Sequence, residues 1–159
     1  MGTQINLVAA WIGISLGFAS GMVMGLFFHR EQWLGGYASL KRRLYRLAHI
    51  SFFGLGAVNL CFFLTAKAMN LSGPMILAAS WCFLLGAISM PVCCIAMAHR
   101  PRVLPLFAVP VLSLIIGGVL TLTAVVPHTN SALPRERRLA FKNLRCPNKR
   151  VMPNKPTCL

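Results

Sequence analysis

Four runs without a single Asp, Glu, Lys or Arg constrain this chain more than any other feature: Leu7–Phe28, Leu47–Ala66, Met75–Ala98 and Val103–Val126. Each is as long as the roughly 20 residues a helix needs to cross a bilayer. Within hydrocarbon, unpaired backbone groups are too costly for any other conformation, so each run is expected to be a membrane-spanning helix. Composition agrees: of 159 residues, 57% are hydrophobic and only 11% charged, outside the usual range of soluble domains. The expected fold is all-α, an integral-membrane four-helix bundle over residues 1–128. A basic tail, residues 129–159, is expected to be extended, since it holds too few apolar residues for a core of its own. Because the first run is too long for the apolar part of a signal peptide and lacks a basic leader, it is expected to stay in the mature protein.

The first span carries a row of small residues. Ala9, Gly13, Gly17, Gly21 and Gly25 fall four apart, and His29 continues the row. Glycine adds nothing to helix propensity, so the row reads as a strip against which a second backbone packs, held by van der Waals contact. In the fourth span Ser113, Gly117 and Thr121 repeat the spacing. Gly13, Gly17, Gly21, Gly25, Ser113 and Gly117 are therefore the expected helix-docking residues.

Between spans 1 and 2, Leu40, Leu44 and Leu47 alternate with Arg42, Arg43 and Arg46, beside the aromatics Trp33, Tyr37 and Tyr45. That pattern predicts a short helix lying on the bilayer surface and running into the second span. Between spans 2 and 3 the sequence Asn70 to Pro74 supplies turn chemistry, with Ser72 a candidate cap and Pro74 at the first helical position. Pro91 interrupts the third span and is expected to kink it.

The formal charge of +14 comes from 16 Lys and Arg against two acids. Seven cations, Arg30, Lys41, Arg42, Arg43, Arg46, Arg100 and Arg102, lie in the first and third loops, whereas the second has only Lys67. The basic loops are expected on the cytoplasmic side and both termini outside, in a bacterial inner membrane. Arg135, Arg137, Arg138, Lys142 and Arg145 argue the other way, but the first helix usually dominates orientation.

Candidates for chemistry are few. His29, His49 and His99 fall at one expected depth, at the ends of spans 1, 2 and 3, and imidazoles there could hold a haem iron; His49, next to a glycine-bearing segment, is the best placed. Histidine at a helix end in the headgroup zone is the plainer reading, with no cofactor. Met90, Cys93, Cys94 and Met97 share one helical stripe of soft ligands, but His99 lies roughly 200° round from Met97, so a copper site on this helix alone is disfavoured. Cys146 and Cys158, outside the membrane, could pair as a disulfide. Asn59 is the one strongly polar uncharged side chain deep in a span, and an amide there should bond to another helix. No intramembrane carboxylate offers a proton relay, and no nucleophile–base set, phosphate loop or carboxylate pair appears, so the chain is not expected to be an enzyme.

The span order, His49 and the His99-Arg100 exit resemble small four-span membrane proteins that accompany respiratory oxidases and quinol-oxidising complexes, including an oxidase-assembly family with histidines at helix ends. The resemblance implies an accessory subunit of an electron-transport complex, or alternatively a haem-binding carrier or assembly factor. The expected partners are other membrane subunits and lipids, with the tail lying on an acidic partner surface. Nucleic acid is disfavoured, because Phe141 is the only aromatic in the basic tail.

Overall fold

In the computed structural model, which describes residues 2–36, 38–100 and 105–145 and, among these, the side chains of all but 28 and 130–145, the described residues are mostly helical, with short turns between the helices. The helices are α1 (Gln4–Phe28), α2 (Leu40–Ala68), α3 (Pro74–His99) and α4 (Ala108–Arg145), with a 3-10 turn at Trp33–Gly35. Four helices are long and apolar enough to cross a membrane. The chain divides into two compact units, residues 1–124 and 125–159.

In the first unit consecutive helices pack antiparallel. Gly13 lies against the backbone of Phe52 and Gly56, and Gly17 against the Phe53 ring, joining α1 to α2. Phe62 and Phe83 join α2 to α3, their ring centroids 5.0 Å apart. Gly86 lies against Ser113 and Leu114, and Gly117 against Cys82 and Phe83, joining α3 to α4.

The connections follow local chemistry. After α1 the chain turns through Leu34, Gly35 and Gly36, all at positive φ, a region glycine enters freely and leucine does not. A cation–aromatic ladder holds this turn: Arg30 lies 5.8 Å from the Phe27 ring centroid, Phe27 stacks on Trp33 at 5.9 Å, and the buried Arg42 guanidinium lies 5.9 Å from Trp33. Such contacts are worth about 0.5–2 kcal/mol each, more as they are desolvated. The end of α2 is closed by Asn70 at φ 51°, with Leu71 N–H donating to Ala66 O at 2.8 Å and Asn70 N–H to Lys67 O at 3.3 Å. That is the double-bonded left-handed cap that satisfies a helix's last carbonyls.

Three expectations are corrected. The surface helix between spans 1 and 2 is not a separate element: Leu40 to Arg46 are the first turns of α2 itself, because no Gly or Pro interrupts the backbone ladder between Leu40 and His49. Ser72 does not cap α3. Gly73, at φ 125°, occupies that position with Pro74 following it, so a conformation favoured by glycine sets the entry. The tail is not extended from residue 129, since α4 continues to Arg145; Arg135 to Arg145 is rich in Arg, Lys, Leu and Ala, good helix formers that need no core. Pro91 lies inside an unbroken α3.

Candidate functional site

Polar side chains are scarce in these helices, and the structure gathers the deepest of them into one clasp. Asn6 of α1, Asn59 of α2 and Ser80 of α3 are all within 1% of complete burial. Asn6 Nδ2 donates to Asn59 Oδ1 at 2.8 Å and to the Ser80 carbonyl at 3.3 Å. Asn59 Nδ2 donates to Leu55 O within its own helix at 2.9 Å and to Phe83 O of α3 at 3.5 Å. Ser80 Oγ completes the set, bonding to Asn6 Oδ1 and lying 3.2 Å from Gly2 O. Both amides thus use their two donors and their carbonyl oxygen. An amide buried without partners would cost several kcal/mol, so the bonds specify how three helices meet. Asn59 makes the cross-helix bond its position implies. Asn6 escapes a reading of the spans because it immediately precedes the apolar run, and Ser80 reads there only as one of the small residues that leave room for close neighbours. The signal was present: Asn6, Ala10, Gly13 and Gly17 recur at spacings of four, three and four, and they form the stripe that meets α2.

That stripe continues toward the opposite end. A methyl group added at Gly13 would sit 3.1 Å from Phe52 O, and one at Gly56 would sit 3.1 Å from Ala10 O. At Gly17 it would meet the Phe53 ring at 2.8 Å, and at Gly21 the His49 imidazole at 2.8 Å. The partner of Gly13, Gly17 and Gly21 is therefore the chain's own α2, where the accessory-subunit reading of the sequence expects helix 1 or helix 4 to dock a neighbour. Gly25 has nothing within 4 Å. Ser113 and Gly117 face α3, and Ser113 Oγ donates back to Pro110 O at 2.9 Å.

The histidines are held singly. His49 Nδ1 is 2.9 Å from Ser20 Oγ of α1, and its ring meets Phe53 edge-on at 5.5 Å. His99 Nε2 is 3.0 Å from Tyr45 Oη, a bond between α3 and α2. His29 is exposed. The His49 imidazole lies on Gly21 of α1, while in the glycine-bearing segment of α2 Gly56 packs against Ala10 and Ile14 and Gly54 has nothing within 4 Å. Among the described residues, no three of His, Cys, Asp and Glu gather as a metal would require. Cys93 and Cys94 are buried in α3, with Cys93 Sγ 3.6 Å from Leu106 O, while Met90 and Met97 are half-buried. Cys146 and Cys158 lie outside the described residues.

Around the Tyr45–His99 bond stand Lys41, Arg43 and Arg46 near the start of α2 and Arg100 just past α3, which makes this the cationic end of the helices. Comparison with protein-family models, curated proteins and solved structures finds no match to this chain.

Proposed function

We propose that this chain is a non-catalytic accessory subunit of a larger membrane complex, one that holds neighbouring parts in place. The observation that supports this reading is how the intramembrane polar groups are used. Asn6, Asn59, Ser80, Ser20 and His49 all bond to one another or to backbone, the pattern of groups that tie helices together. The length of α4 adds to it: 38 residues against the roughly 20 that span hydrocarbon leave a helical segment bearing Arg135, Arg137, Arg138, Lys142 and Arg145 for an acidic partner surface outside the bilayer. Membership of an electron-transport complex rests on the resemblance carried by His49 and His99-Arg100. A bacterial inner membrane, with the loops at the cationic end on the cytoplasmic side and both termini outside, rests on the distribution of Lys and Arg.

The test is a deletion combined with native electrophoresis of mild-detergent membrane extracts. Loss or a size shift of one membrane complex, restored by the full-length chain, is the expected result. A wild-type pattern of complexes in the deletion, together with a purified protein that runs at its own mass alone, would overturn the proposal.

A further inference from the structure

Between the clasp and the cationic end, α1 and α3 do not close over α2. The gap is an apolar cavity of about 310 Å³, floored by Gly13, Phe52 and Gly56 and walled by Leu16, Pro91 and Ile95. Along α3 it runs from Leu84 to Ile95, about 16 Å at 1.5 Å per residue, which matches the roughly 15 Å depth of one leaflet. Nearer the helix ends, a second recess of about 520 Å³ is lined by Leu34, Gly35, Ser39, Leu40, Lys41 and Ala98, with Ser39 and Lys41 its polar side chains.

The two recesses lie on the same faces of α2 and α3. On α2, Lys41, Tyr45, Phe52 and Gly56 recur at spacings of four, seven and four, one helical row. On α3, Pro91, Ile95 and Ala98 do the same. Ile95 of the first recess and Ala98 of the second are less than one turn of α3 apart. A molecule filling both must therefore have an apolar chain of leaflet length and a headgroup that accepts hydrogen bonds and carries negative charge. Lys41 and Ser39 line the upper recess, Arg43 and Arg100 are exposed at the same end, and the one acid at this end, Glu31, lines neither recess.

We infer that this face is a binding site for an anionic phospholipid, with the phosphate beside Ser39 and Lys41 and one acyl chain in the groove over Gly13 and Gly56. The site is separate from the clasp and overlies the Gly13–Gly56 contact between α1 and α2, and the inference does not depend on membership of a complex. A lipid seated here fills the gap that α1 and α3 leave open and draws three helices toward the cationic end.

The test uses the purified full-length chain, delipidated in detergent and titrated with phosphatidylglycerol or phosphatidylcholine, with retained lipid counted by native mass spectrometry. Wild type is expected to prefer long-chain phosphatidylglycerol by about fivefold, and Lys41→Glu to remove that preference, since each basic residue near an anionic headgroup is worth about 1 kcal/mol. Lys67→Glu, at the opposite end, should leave the preference unchanged. Ala87→Phe, which fills the groove, should lower retention of both lipids, with folding checked by circular dichroism. Dihexanoyl phosphatidylglycerol, which keeps the headgroup and lacks the long chains, should bind more weakly than the long-chain lipid and needs no variant. Equal retention of the two long-chain lipids would overturn the site, as would equal binding of short and long chains. A preference that survives Lys41→Glu would assign the lipid to basic residues elsewhere and overturn it as well.

Discussion

The two ends of the α1–α2–α3 group solve the same problem differently. At the clasp, three polar side chains are buried and tie all three helices through one network. At the cationic end, Ser20 with His49 and Tyr45 with His99 each join two helices, and these groups are half-buried or exposed. The difference follows from water. A group that can reach the headgroup zone has other partners and gains little from a protein bond, whereas an amide in hydrocarbon must find its partner within the fold. One end is therefore rigidly specified and the other is left with space between its helices.

Substitutions can break or sharpen that contrast. The largest effect is expected at Gly56→Leu, where the new side chain must enter a backbone-to-backbone contact at 3.1 Å; a loss of about 3 kcal/mol should appear as collapse of the monodisperse elution peak. Asn59→Ala strands the Asn6 donor and should cost about 2 kcal/mol, read from the midpoint of unfolding in a denaturing-detergent titration. An effect there no larger than at the other end would break the contrast. Gly21→Ala presses a methyl group toward an imidazole that is only half-buried and can yield, so about 1 kcal/mol is expected in the same titration. Tyr45→Phe, which removes the exposed bond to His99, should cost about 0.5 kcal/mol. Gly25→Ala faces open space and should reverse the sign, gaining about 0.5 kcal/mol from helix propensity; destabilisation there would mean that another surface covers Gly25.

The positions of the spans were legible from residue type alone. The expected run Met75–Ala98 is α3 almost to the residue, Pro74–His99, because Pro74 permits a helix to begin and His99 with Arg100 leaves the hydrocarbon. Boundaries failed where the helices continue past the apolar runs. Lys41 to Arg46 and Arg135 to Arg145 are polar, so hydropathy separates them from the spans, yet backbone hydrogen bonding runs straight through both segments.

Of the candidate site, Asn59 and the glycine row could be read in advance, and their partners could not. A soluble helix announces its buried face by the contrast between apolar and polar sides. A helix in lipid has no such contrast, since hydrocarbon outside is as apolar as the packed interior. That is why Ala10, and not Ala9, proves to be the fully buried alanine of α1.

Residue chemistry by itself determined that this chain forms four helices long and apolar enough to cross a membrane, because uninterrupted apolar runs of this length favour a conformation that satisfies its own backbone. Only the tertiary structure decided that Gly13, Gly17 and Gly21 meet α2, that Asn6 answers Asn59, and that an apolar groove opens beside Gly13 and Gly56. Those pairings depend on how helices rotate and approach one another, and in an environment apolar on every side the rotation is chosen by a few close contacts and hydrogen bonds that no local pattern encodes.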